Sequence, residues 1–173
     1  ELAPSLSGAG AVEIWNEPNL ALEWSKVEGA NKGSLGPMSP ENYANFLACG
    51  IKGLKKGGYS GKIITAALAP NAPDGADSME TGKFFDTYIA KAKEIGIWGQ
   101  IDYIGWHSNV TENIPPDADT DINKQAGFQT VNYALNKGKP VWVTEFGWKW
   151  DKLPKTGCIN CSTDKNEAEQ NQR

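Results

Sequence analysis

Two glutamates follow short apolar runs of this sequence, and their surroundings suit chemistry on a sugar. Glu17 lies in the string Trp-Asn-Glu-Pro-Asn directly after the run 11–16, and Glu145 ends the run 140–145 in the string Thr-Glu-Phe-Gly. Two carboxyl groups that face each other across a glycosidic bond can divide its hydrolysis, because one protonates the leaving oxygen while the other attacks the anomeric carbon. The sequence therefore predicts a catalytic carboxyl pair, provided that the fold brings both residues together.

Each of these candidates also has a plain structural interpretation. A single Glu after a strand is usually a solvated surface residue, so the two motifs in this order carry the hypothesis together. His107, the one histidine of the chain, ends the run 101–107 and is either a residue that lines the substrate or a hydrogen-bonded structural one. Trp148 either stacks on a sugar or packs against the protein. Three tryptophans within the runs are predicted to lie in the core: Trp15, Trp106 and Trp142.

The apolar runs alternate with stretches of helical period, a pattern typical of an α/β fold. The predicted strands are 11–16, 62–69, 101–107 and 140–145. One predicted helix starts with the cap Ser39-Pro40-Glu41 and stops at Gly57-Gly58, a second carries apolar residues from Phe84 to Ile95 before Gly96, and a third spans 124–137. Crossovers of this length imply parallel strands, so all four strands should end at the same edge, where chemistry would be placed.

Composition and charge narrow the class of protein. With 39% hydrophobic and 22% charged residues in a chain of 173, the sequence predicts one globular domain without a membrane span or an intact signal peptide. The net charge of −4 comes without a basic stripe, which argues against nucleic acid as a partner. Cys49 lies on the predicted helix and is expected to be a buried free thiol. Cys158 and Cys161 are expected to form a local disulfide or to be free thiols, because no second pair of zinc ligands follows.

Taken in order, these motifs resemble the clan A glycoside hydrolases, which include the cellulase-like and the xylosidase- and arabinofuranosidase-like retaining families. In that clan an Asn-Glu pair ends the fourth strand of a (β/α)₈ barrel and a second Glu ends the seventh. Asn16-Glu17 and Glu145 resemble these, with two predicted βα units between them. The resemblance covers about residues 8–150. It implies a retaining glycoside hydrolase that acts on a carbohydrate, with β-linked poly- or oligosaccharides as the substrate class and polysaccharide degradation as the setting.

The resemblance also implies a role for each matched residue. Glu17 would be the acid/base, Glu145 the nucleophile, and Asn16 the hydrogen-bond partner of the sugar 2-hydroxyl at the cleavage point. His107 falls where the clan often places a histidine that lines the site, but related sequences often continue His-Pro-Tyr, whereas this chain reads His107-Ser108-Asn109. That Tyr is able to make a hydrogen bond to the nucleophile, and no residue of this sequence obviously replaces it. The predicted chemistry needs neither a metal nor a cofactor.

The length of the chain predicts a partial TIM barrel within the α/β class. Four βα units of roughly 40 to 50 residues fill it, whereas an eight-stranded barrel takes about 250 residues. We expect residues 1–150 to supply strands four to seven of the barrel, and residues 151–173 to be a loop and the truncated start of the next helix. Unpaired parallel edges should then make the isolated chain self-associate or require the missing half of the barrel. The alternative function is a non-catalytic carbohydrate-binding or inactive piece of such an enzyme.

Overall fold

The computed structural model describes residues 6, 8–24, 38–70, 72–110 and 134–148, with the backbone alone at 109–110 and 146–148. The elements with described bounds are β1 (Ala11–Ile14), α1 (Ala21–Trp24), α2 (Pro40–Lys56), β2 (Lys62–Thr65), α3 (Thr81–Glu94), a 3₁₀ turn (Trp98–Gln100), β3 (Ile104–Val110) and β4 (Val141–Trp148). None of the helices in these residues combines the length and the apolar character that a membrane span requires.

The strands form two parallel pairs in chain order. β1 pairs with β2 in the register Ala11 to Lys62, and β3 pairs with β4 in the register Ile104 to Val141. A single parallel bridge between Ile64 and Tyr103 lies where β2 meets the start of β3. These parallel pairs, with α2 and α3 between strands, confirm the predicted α/β class.

The helices begin and end where local chemistry predicts. The Ser39 hydroxyl accepts a hydrogen bond from the Asn42 amide at 3.1 Å, with Pro40 at the first helical position of α2. At the other end Gly57 caps the helix and Gly58 has a φ of 82°, a left-handed conformation that glycine adopts without strain. These bounds confirm the first predicted helix. The second predicted helix is also present as α3, and Gly96 follows it with a φ of 74°.

The core lies between the sheet and the inner faces of α2 and α3. Tyr43 of α2 is fully buried, its ring meets Tyr88 of α3 edge to face at 5.3 Å, and its hydroxyl donates to the carbonyl of Ile14 in β1. The same hydroxyl accepts a hydrogen bond from the amide of Ala66 just after β2. One side chain therefore ties a helix to the ends of two strands.

The strand ends differ from the prediction. The second strand was expected over 62–69 but ends at Thr65, because buried side chains replace the ladder beyond it. The amide of Ala66 donates to the Tyr43 hydroxyl, and that of Ala67 donates to the Glu13 carboxylate. The amide of Ala69 donates to the Asn19 side chain. The third strand begins three residues later than expected, at Ile104, because Asp102 and Tyr103 both donate their amides to the Ile63 carbonyl.

Burial corrects two further expectations. Trp106 is buried on β3, as predicted, and Trp15 is partly buried. Trp142 is 43% exposed, so its assignment to the core was wrong; its ring meets the ring of Tyr103 edge to face at 5.1 Å. Cys49 is an exposed free thiol, because it lies on the outer face of α2. The third predicted helix, 124–137, lies mostly outside the described residues, as do Cys158 and Cys161.

Gly105 of β3 occupies a place where no larger residue fits. A Cβ there would collide with the carbonyl of Thr65 and would lie 2.6 Å from Glu13 Oε1 and 2.9 Å from the Ala67 nitrogen. Because two of these neighbours are backbone atoms, they cannot move aside cheaply. Gly105 therefore keeps β2, β3 and the Glu13 carboxylate in close contact.

We predict that Gly105→Ala lowers the free energy of unfolding by about 1–3 kcal/mol, the usual effect of overpacking. Gly53→Ala is the matched control, because nothing lies within 4 Å of a Cβ at this position of α2. Alanine should stabilise that helix by roughly 0.5–1 kcal/mol. Urea unfolding followed by circular dichroism measures both, and equal effects of the two substitutions would contradict the prediction.

Candidate active site

Three of the predicted residues come together in the structure. Glu17 follows β1 by three residues, His107 lies within β3, and Glu145 lies opposite His107 in β4. His107 Nδ1 is 2.8 Å from Glu17 Oε1 and 3.3 Å from Glu145 Oε2. Residues far apart in the sequence are thus joined through one imidazole nitrogen.

Burial and charge act in opposite directions on His107. Its side chain is only 3% exposed, and this burial alone would lower the pKa of the imidazole. The hydrogen bond to Glu17 and the negative charges of Glu145, Glu17 and Glu13 outweigh that effect, so the pKa of His107 is raised above 6.5. The carboxylates around the imidazole therefore favour its protonated form.

The two glutamates are close to each other as well as to His107. One oxygen of each carboxylate and one His107 nitrogen all lie within 4.8 Å of one another. Carboxyl groups about 5–5.5 Å apart suit direct attack by one of them on a sugar, whereas a water between substrate and base needs about 6.5–9.5 Å. Their environments differ, because the side chain of Glu17 is 16% exposed and that of Glu145 is 57% exposed.

Such a cluster has the donor atoms that a metal ion could use. The same closeness follows from a hydrogen bond, since 2.8 Å between Nδ1 and a carboxylate oxygen is the length of a charge-assisted N–H to O contact. A proton between His107 and Glu17 therefore accounts for the geometry, and the sequence-based prediction that the site needs no metal stays a prediction.

The backbone at Trp15 and Glu17 has an unusual, left-handed conformation. Trp15 and Glu17 have φ angles of 80° and 39°, in the left-handed region that non-glycine residues rarely adopt. Each such residue costs about 1–3 kcal/mol, and strain of this kind clusters at functional sites. The turn is retained by packing and hydrogen bonds: Trp15 meets Trp24 and Phe46 edge to face, and the Glu17 amide donates to the Ala67 carbonyl at 2.9 Å.

Asn19 is a residue of the first motif that the sequence analysis left without a role. It is completely buried, and its side-chain oxygen accepts from the Ala69 amide at 2.9 Å while its nitrogen donates to the Ala69 carbonyl at 3.1 Å. Its backbone carbonyl accepts from the Met79 amide. Asn19 thus fastens the loop that carries Glu17 to the segment after β2. A polar residue just after a Glu-Pro turn was the available signal.

Glu13 is the second residue that the sequence analysis missed. It lies in the middle of β1, and its Oε1 accepts from the Ala67 amide at 2.8 Å and from the Thr144 hydroxyl at 3.1 Å. Burial raises the pKa of this carboxyl above its ordinary value, with the hydrogen bond from Ala67 opposing it. The signal was a charged residue within an otherwise apolar strand.

Two other predicted site residues stand apart from the cluster. Asn16 is exposed, and its side-chain nitrogen donates to Glu23 Oε2 at 3.2 Å. Trp148 ends β4, where it pairs with Val110, but its side chain lies outside the described residues. Of the predicted residues, the structure brings together Glu17, His107 and Glu145.

Comparisons of this chain with protein-family models, with curated proteins and with solved structures find no match. A functional argument therefore depends on the geometry of Glu17, His107 and Glu145 and on the residues that position them.

We predict that Asn19→Ala lowers the free energy of unfolding by about 1–3 kcal/mol, because it leaves the buried amide of Ala69 without its partner. Asn16→Ala is the matched control from the same loop, with one exposed hydrogen bond to lose, and should have little effect. Chemical unfolding followed by tryptophan fluorescence measures both. The prediction is wrong if the two variants are equally stable.

The His107 ion pair should make stability depend on pH. Because its folded pKa lies above 6.5, its contribution is fully present below about pH 6.5 and is lost as the pH rises through the folded value. We expect Glu17→Gln to lower the unfolding free energy at pH 6, and this difference from wild type to shrink by pH 9. Urea titrations across this range test it, with Glu41→Gln, an exposed acid of α2, as the control. A constant difference would contradict it.

Proposed function

We propose that this chain carries the catalytic carboxyl pair of a retaining glycoside hydrolase, which cleaves β-linked poly- or oligosaccharides. One observation carries the proposal: Glu17, just after β1, and Glu145, within β4, have carboxylate oxygens within 4.8 Å of each other. That closeness suits the retaining arrangement. The motif resemblance supplies the substrate class.

The proposed reaction is a double displacement. The ionised Glu145 carboxylate attacks the anomeric carbon while protonated Glu17 donates its proton to the departing glycosidic oxygen, which leaves as the alcohol. Glu17, now ionised, then takes a proton from water, whose oxygen attacks the anomeric carbon and releases the Glu145 carboxylate. The greater burial of Glu17 suits the residue that must carry the proton, and the exposure of Glu145 suits the residue that must reach the substrate.

His107 would serve both glutamates in this scheme. The 2.8 Å contact lets His107 and Glu17 share one proton, which can lie on the imidazole or on the carboxyl. When the imidazole carries this proton, the 3.3 Å contact also balances the charge of Glu145. In related sequences a Tyr two positions further on can make a hydrogen bond to the nucleophile; here His107 Nδ1 lies 3.3 Å from Glu145 Oε2.

We propose further that the sheet is part of a (β/α)₈ barrel. Four strands follow one another in parallel, and β1 reaches β4 through the contact between Glu13 and Thr144. Contact between the first and the last strand of such a series requires the sheet to curve around its inner face. In a full barrel, further βα units would complete the site. The proposed ligand is a carbohydrate. Either the remaining units or a second copy of the chain would cover the exposed strand β4.

A second candidate function is carbohydrate binding without turnover. It is favoured by the openness of the site, since the side chain of Glu145 is 57% exposed. A cavity of about 620 Å³ lies elsewhere, between α2 and Gln100. Binding that is unaffected by Glu145→Ala, with no covalent product, would favour this second function.

A panel of 2-deoxy-2-fluoroglycosides with dinitrophenyl leaving groups tests the nucleophile, because such substrates form the glycosyl ester quickly and release it slowly. We expect intact-mass analysis to find one adduct, which peptide mapping places on Glu145. Glu145→Gln should form none. Glu17→Gln should still form it, because this leaving group needs no proton, but should lose about 10²–10⁴-fold in turnover of unactivated glycosides.

An adduct on another residue, or its formation by Glu145→Gln, would overturn the assignment of the nucleophile. Absence of any adduct from the folded wild-type chain, together with measurable sugar binding, would favour the second function.

A further inference from the structure

The pairing of β3 with β4 is irregular at the site. Trp106 pairs with Val143, but His107 pairs with Glu145, so Thr144 has no partner on β3. This is a β-bulge, in which one strand has an extra residue and the side chains beyond it are re-aimed. In a regular strand Thr144 and Glu145 would point to opposite faces. Here the Thr144 hydroxyl contacts Glu13 while Glu145 contacts His107, so both lie on the inner side.

The carboxylate of Glu13 holds the bulged residue from the opposite strand. Its Oε1 accepts from the Thr144 hydroxyl at 3.1 Å and from the Ala67 amide at 2.8 Å. The missing side chain of Gly105 makes room for the same oxygen, since a Cβ there would lie 2.6 Å from it. One oxygen of β1 therefore meets the end of β2, the backbone of β3 and the bulge of β4.

We propose that Glu13 is a positioning residue, which holds the β4 bulge through Thr144 and so keeps Glu145 against His107. In this role Glu13 acts on Glu145 through Thr144 and not on the substrate directly. The name "nucleophile" for Glu145 rests on the proposed function, but the positioning of its carboxylate does not.

Charge makes Glu13 suitable for this task. An ionised acceptor binds a hydroxyl and an amide more strongly than a neutral one does. The charged groups that face it are His107 of β3, which favours its ionised form, and Glu145 of β4, which disfavours it. Those that face His107 are Glu17, Glu145 and Glu13, and all three favour the imidazolium.

The single histidine of the chain provides a test that needs no turnover. Its imidazole gives one set of NMR signals, so the pKa of His107 can be followed by pH titration without ambiguity of assignment. Thr144→Val keeps the shape of the side chain and removes the hydroxyl, whereas Thr144→Ser keeps the hydroxyl. We expect Thr144→Val to lower the pKa of His107 by about 0.5–1, because Glu145 drifts away from it. Thr144→Ser should titrate as wild type does.

Three further variants complete the experiment. Glu145→Gln shows how far the pKa of His107 falls when the charge of Glu145, which Thr144 is proposed to hold in place, is removed. Glu13→Ala should abolish the effect of Thr144→Val in the double variant, because Thr144 acts through Glu13. Thr144→Ala is a second variant without the hydroxyl, at an exposed position of the strand, and replaces the valine variant if that one does not fold.

The proposal is overturned if Thr144→Val titrates as wild type does while Glu145→Gln lowers the pKa of His107. It is also overturned if the serine and valine variants shift the pKa equally, or if Glu145→Gln leaves it unchanged. A chain that passes this test but forms no glycosyl adduct would retain Glu13 as a positioning residue and lose the proposed function, so the two failures are distinguishable.

Discussion

The imidazole of His107 is the contact on which the arrangement of the site depends. Two carboxylates this close together would repel each other in a partly buried place, and a shared cationic group offsets this repulsion. His107 Nδ1 lies between them at 2.8 and 3.3 Å, within a strand whose other side packs against α3 through Trp106. The helix layer therefore sets the position of the imidazole, and the imidazole sets the distance between the two glutamates.

A second constraint is that β2 ends where side chains begin to satisfy its backbone. Beyond Thr65 the amides of Ala66, Ala67 and Ala69 donate to Tyr43, Glu13 and Asn19, which come from α2, β1 and the loop after β1. A buried amide without a hydrogen-bond partner is costly. The amides after β2 therefore hold these three acceptor side chains in place, just as the acceptors hold the backbone. This reciprocal arrangement also retains the left-handed backbone at Trp15 and Glu17.

The sequence predicted the parts of this protein that local rules govern. Periodicity located the strands, the Ser39-Pro40 cap located the start of α2, and the shared edge of parallel strands indicated that Glu17, His107 and Glu145 could meet. It could not predict the bulge at Thr144, the contact of Glu13 with β4 or the end of β2, because these depend on which residues meet across the sheet. The exposure of Trp142 and Cys49 was mispredicted for the same reason, since an apolar neighbourhood in the sequence does not show which face is covered.

The bulge in β4 also means that the site depends on the number of residues in this strand as well as on which residues they are. Loss of one residue between Val143 and Phe146 would give a more regular ladder with β3, yet it would place only one inward side chain where two now lie. The chain would then have either the hydroxyl that meets Glu13 or the carboxylate that meets His107, but not both. A deletion of one residue at this point should therefore cost the site one of these two contacts, whichever of the two residues is lost.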